Sequence, residues 1–152
     1  MTFKSTGILR YDPHRGDMKK NIDWWIVIKT DPELVRYYAA QVMANPVAFG
    51  ETHIDMIDPS WGSHISVVRG EKPRDSLKHL WKKHDGEKIE FEYSHIVRRS
   101  GDTTPGFHLD YFWFMDVWCE RLNEIRRELG LKAYDTVKKA PFKYHLTVGR
   151  LR

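Results

Sequence analysis

Two short stretches of the chain carry the same chemistry. In His64-Ile65-Ser66-Val67 and in His145-Leu146-Thr147-Val148, an imidazole is followed two positions on by a hydroxyl, with an aliphatic residue after each. Alternate residues of a strand share a face, so each stretch sets its His and its hydroxyl on one side and two aliphatic residues on the other. None of the other six histidines has Ser or Thr two positions on. Among eight histidines, about 0.8 such spacings arise by chance, and requiring both aliphatic residues lowers that to about 0.1. Imidazole exists in either protonation state near neutrality, so a pair of them can take one proton and supply another.

Other side chains are weaker candidates. Strand parity puts Lys143 on the His145 face, where an ammonium could meet an anionic oxygen. The same parity assigns Arg150 to the Leu146 and Val148 side, a structural position. Trp61, in the turn entering the first His strand, and Tyr11, in a segment able to fold over a cleft, could stack on a base or simply pack. His53 with Asp55 and His108 with Asp110 repeat a His-x-Asp spacing and could form a metal site if two distant strands matched. His14, His79, His84 and His95 have no partner pattern and read as surface or packing residues. Trp24 and Trp25 read as core.

The elements that must position these groups are legible in outline. Residues 22–29, IDWWIVIK, form an apolar strand. A helix follows, capped by Thr30 or Asp31, with Pro32 in its first turn and Pro46 ending it. ETHIDMID and GSHISVVRG read as strands, DSLKHLWKKHDG as a short helix, and EKIEFEYSHIV and FHLDYFWFM as strands around an exposed GDTTPG turn. Asp116 caps a helix over VWCERLNEIRREL, with Val117, Leu122, Ile125 and Leu129 as its buried stripe and Gly130 as its stop. The last strand carries His145. The opening residues to Asn21 read as an irregular entry with turn signals at Asp12-Pro13 and Arg15-Gly16. The expected fold class is α+β.

The 152 residues are expected to form one domain, 1–152, whose six Trp, seven Tyr and seven Phe supply a core. The single cysteine, Cys119, excludes an internal disulfide framework and makes a cysteine-based zinc site improbable. No apolar run approaches the ~20 residues of a membrane span, and a reducing cytoplasm is the expected compartment. A net charge of +4 and a pI near 9.1 are compatible with a phosphate-bearing partner without requiring one.

The paired His-x-Ser/Thr motifs, each followed by an aliphatic residue, resemble those of the 2H phosphoesterases, the superfamily of LigT-like RNA ligase/phosphodiesterase proteins and cyclic phosphodiesterases. HLTVGR is especially similar to the second motif of the LigT branch, and YFWFMDVWCERLNEIRREL to the strand and helix preceding it. Ser63 departs from the pattern, since the family often has an apolar residue before the first His.

The resemblance implies a bilobal LigT-like fold, two antiparallel-sheet lobes with flanking helices and a central cleft. It implies that the two motif strands lie side by side at the cleft floor, with His64 and His145 as catalytic acid and base, and Ser66 and Thr147 donating to the non-bridging phosphate oxygens. No metal or other cofactor is implied. The expected partner is a nucleotide or oligonucleotide, as a 2′,3′-cyclic phosphate, a 2′–5′ linkage or a cyclic oligonucleotide signal. That last class is the target of phage and viral anti-defence members, for which the compartment would be the host cytoplasm. Neither a membrane nor an obligate protein partner is expected. The alternative is a non-catalytic RNA- or nucleotide-binding module using the same cleft.

Overall fold

The computed structural model describes residues 1–14, 22–59, 61–100 and 111–151. The Arg15-Gly16 turn signal, the turn expected over 101–106, His108 and Asp110 lie outside the described residues. The strands are β1 (Thr2–Tyr11), β2 (Trp25–Thr30), β3 (Met56–Ile57), β4 (His64–Arg69), β5 (Lys88–Ser94), β6 (Arg98–Arg99), β7 (Phe112–Trp118), β8 (Tyr134–Asp135), β9 (Ala140–Pro141) and β10 (Tyr144–Leu151). Two α-helices, α1 (Pro32–Ala44) and α2 (Glu120–Glu128), complete the α+β framework among the described residues.

Neighbouring strands run antiparallel in the order β10-β4-β2-β1-β5-β7, and β7 pairs again with β10. The sheet therefore closes into a six-stranded barrel, where two separate lobes around an open cleft were expected. β1 accounts for the difference. The opening segment, expected to be irregular, is a ten-residue strand that pairs with β2 along one edge and with β5 along the other. Its buried positions Gly7, Leu9 and Tyr11 alternate, but Thr, Lys and Ser residues around them obscure the period. Closure leaves few unpaired edges, and β3 and β6 extend β10 and β7.

Other elements shift in detail. Asp31 caps α1 by accepting from the Glu33 backbone N–H at 2.9 Å. ETHIDMID shrinks to the two residues of β3, and the segment from Asp75 is a 3₁₀ turn, Asp75–Leu80. The last helix begins at Glu120, after Cys119, because Asp116, Val117 and Trp118 still belong to β7. Asp116 is a strand residue and does not cap.

Leu9, Ile26, Ile28, Ile65, Met115, Val117 and Leu146 fill the barrel, each fully shielded from water. Burying a side chain of this kind is worth about 1.5–3 kcal/mol. α1 adds Val35, Tyr38 and Val42 to the same core, and α2 adds Leu122 and Ile125.

α2 also makes two polar ties to the His-bearing strands. Arg126, 3 % exposed, donates to the Val67 carbonyl at 2.9 Å and to both Glu71 carboxylate oxygens at 2.8 and 2.7 Å. The Tyr144 hydroxyl donates to Asn123 Oδ1 at 2.6 Å. Val67 lies in β4, and Tyr144 immediately precedes His145 in β10. Replacing Arg126 with Ala removes the donor to the Val67 and Lys132 carbonyls and the partner of Glu71. Because Glu71 is half-exposed, we expect about 2–3 kcal/mol of destabilisation in urea unfolding, below the value for a fully buried pair.

A candidate two-histidine site

β4 and β10 are adjacent and antiparallel, with Ile65 paired to Leu146. These are the central residues of the two His-x-Ser/Thr motifs. One step either way along that register sets His145 across from Ser66, and Thr147 across from His64. The motifs are thus related by a local twofold axis between Ile65 and Leu146. The aliphatic pair faces the core, and both imidazoles and both hydroxyls face outward into one cavity of about 490 Å³.

Two arginines also line the wall: Arg150, which strand parity set on the other face, and Arg69, which carried no sequence expectation. In each strand the register slips after the hydroxyl residue, at Ser66–Val68 against β2 and at Thr147–Gly149 against β7. The extra residue is a β-bulge, which turns the following side chain to the opposite face. Val67 and Val68 are both buried, as are Val148 and Gly149, so Arg69 and Arg150 emerge on the histidine side and line the cavity. Arg150, expected to be structural, is corrected by this bulge. A clue was present in the sequence: HISVVR and HLTVGR match in kind at five of six positions, His-aliphatic-hydroxyl-Val-x-Arg, not only at the first four. Gly149 has a second role, because a Cβ there would come within 2.0 Å of Met56 Sδ, blocking β3 from closing on β10.

Each site residue is held from behind. His64 Nδ1 lies 3.0 Å from the Gly62 carbonyl, which can only accept, so Nδ1 carries the proton and Nε2 keeps a lone pair. Trp25 and Trp61 meet the His64 ring edge-on, with centroids at 5.9 and 5.0 Å. The Trp25 indole N–H donates to Ser66 Oγ at 3.4 Å, which leaves the Ser66 O–H to donate elsewhere. Ser63 hydrogen-bonds the Thr30 hydroxyl and donates to the Asp31 carbonyl, so a polar anchor precedes His64. His145 sits against Phe112 and Phe114, and its cross-strand partner on β7 is Asp116. Arg150 Nε donates to the Asp58 carbonyl at 3.1 Å.

The electrostatics suit an anion. Burial pushes the pKa of His64 below the usual imidazole value; the hydrogen bond to the Gly62 carbonyl opposes it, and the Arg69 and His145 charges add to it. Burial also lowers His145, and Arg69 adds to that, while the Asp116 carboxylate opposes both. An arriving phosphate would cancel the cationic field and raise both values.

The remaining candidates fall outside the cavity wall. Tyr11 is a core residue, 6 % exposed and edge-on to Trp81, and burial pushes its phenol up to about 12. Trp61 packs on His64 and Trp25 and donates to the His14 carbonyl, supporting an imidazole from behind. Lys143 precedes β10 and pairs with Asp116 at 3.5 Å. Among the described residues no three His, Cys, Asp or Glu side chains gather to hold a metal. Trp25 is core, as expected, whereas Trp24 is half-buried with a left-handed backbone.

Both imidazoles are harder to protonate in the folded chain than in the unfolded one, where the value is about 6.5. The folded state then binds fewer protons between the two values. Stability is complete above pH about 6.5 and declines as pH falls through it toward the folded values. Thermal melts should show that decline well before carboxylates titrate, and a His64→Gln/His145→Gln double variant should flatten it. Comparison with family models, with curated proteins and with solved structures finds no match to this chain.

Proposed function

We propose that the chain is a metal-independent phosphodiesterase acting on a nucleotide phosphodiester by two-histidine acid–base catalysis. The observation that carries this reading is the pairing of β4 with β10 at Ile65–Leu146, which points two imidazoles, two hydroxyls and two guanidinium groups into one cavity. A binding module would need the cations but gains little from two imidazoles whose protonated form their surroundings disfavour.

In the proposed reaction a neutral imidazole takes the proton from a 2′-hydroxyl or a water, whose oxygen forms a bond to phosphorus. The bond from phosphorus to the leaving oxygen breaks, and the other imidazole, as imidazolium, gives that oxygen its proton. Ser66 and Thr147 donate to the non-bridging oxygens, and Arg69 and Arg150 balance their charge from the two ends of the motif pair. The substrate class is a 2′,3′-cyclic phosphate, a 2′–5′ linkage or a cyclic oligonucleotide signal. On this reading the chain is kin to the 2H phosphoesterases, and the two lobes of a LigT-like fold correspond to the two halves of the barrel that meet along β4 and β10.

The test is a panel of cyclic mononucleotides, 2′–5′ oligoadenylates and cyclic oligonucleotides, with products identified by phosphorus NMR. One member should turn over in the presence of chelator, with a bell-shaped pH profile. His64→Ala and His145→Ala should each cost about 10²–10⁴-fold in kcat, equivalent to about 3–5 kcal/mol of barrier. Arg69→Ala or Arg150→Ala should weaken kcat/KM by about tenfold or more. A strict requirement for a divalent metal would contradict the mechanism.

A further inference from the structure

The two halves of the site are alike at their centre and opposite at their outer flanks. β4 lies between β10 and β2, and β10 lies between β4 and β7. The β2 residue across from His64 is Lys29, a cation, whereas the β7 residue across from His145 is Asp116, an anion. Directly opposed residues of an antiparallel pair share a face, with Cβ atoms about 4.5–5.5 Å apart, so each imidazole has a charged neighbour of fixed sign.

Asp116 is built into its place. Its side chain is 13 % exposed, and Oδ1 accepts from Arg98 Nη2 at 3.2 Å and pairs with Lys143 Nζ at 3.5 Å. Arg98 in turn lies over the Phe114 ring, and Phe114 meets His145 edge-on. Both cations thus have their counter-charge on Asp116, beside His145. The charged groups around His145 are Asp116 from β7, with its partners Arg98 of β6 and Lys143, and Arg69, His64 and Arg150, which share its cavity. Asp116 is the only anion the structure sets against it among the described residues. His64 has no carboxylate opposite, and its Nδ1 is committed to the Gly62 carbonyl, leaving Nε2 as a proton acceptor.

We propose that Asp116 is a positioning residue that gives the two imidazoles their separate parts: His145 protonates the leaving oxygen, and His64 takes the proton from the attacking hydroxyl. This rests on the phosphodiesterase reading but makes a claim about the free protein that needs no turnover. Removing the carboxylate takes away the anion and leaves Arg98 and Lys143 unneutralised, so both changes disfavour the His145 imidazolium.

The first experiment is an NMR titration of the His64 and His145 ring protons in the full chain, in the wild type, Asp116→Asn and Asp116→Glu. His145 should titrate above His64 in the wild type. In Asp116→Asn it should fall by about one pH unit, a tenfold loss in the protonated-to-neutral ratio, while His64 moves little; Asp116→Glu should recover most of the shift. A His64 that titrates above His145, or a His145 unmoved by Asp116→Asn, overturns the proposal. The second experiment uses a nucleoside 3′-(4-nitrophenyl) phosphate, whose departing phenolate needs no proton. His145→Ala should lose less than about tenfold on it while His64→Ala keeps its loss of about 10²–10⁴-fold, and the reverse ranking overturns the assignment. If the wild type turns over no ester at all, the phosphodiesterase reading fails, and the titration still decides the role of Asp116.

Discussion

The pairing of Ile65 with Leu146 is the constraint on which the site depends. Both side chains are fully buried, and their place in the core fixes which faces of β4 and β10 look outward. Because strand side chains alternate with a period of two, a one-residue slip of either strand would send its imidazole into the core and its aliphatic residue into water. Two buried side chains worth about 1.5–3 kcal/mol each stand against that slip. The hydrophobic effect thus sets, from the core side, which polar groups reach the cavity.

The bulges add what a regular sheet cannot. An uninterrupted strand would carry Arg69 and Arg150 to the core side, where a guanidinium would be costly to bury. One extra residue in each strand turns them to the histidine side, so each half of the site presents an acid–base group, a hydroxyl and a permanent cation within six residues. At the bulge residue Val67, the guanidinium of Arg126 in α2 donates to the carbonyl. α2 also holds Tyr144 through Asn123, so one helix braces both halves.

The two motifs, the final strand, the capped first helix and the apolar second strand were legible in the sequence because each rests on a local pattern. Residues whose setting comes from distant chain were not. β1 went unread because its buried period is carried by Gly7, Leu9 and Tyr11 amid polar neighbours, and only β2 and β5 on either side reveal it as a strand. The closure of the barrel follows from β1 and was hidden with it. Arg150 was assigned to the wrong face because parity presumes an unbroken strand. Asp116 was read as a helix cap from its position before an amphipathic run, yet β7 continues to Trp118, its Val117 side chain fully buried in the barrel. Lys143 was given to the cavity by strand parity and Tyr11 by a segment able to fold over it, whereas Lys143 pairs with Asp116 and Tyr11 packs against Trp81.

The central claim is that both imidazoles address one phosphorus. Titrating the protein with a nucleoside vanadate, a mimic of the five-coordinate phosphorus, while following the ring resonances of His64 and His145 tests it most directly. The account predicts that both move along one saturation curve with a single equivalent bound. Movement of one ring alone, or of the two at separate midpoints, would contradict it.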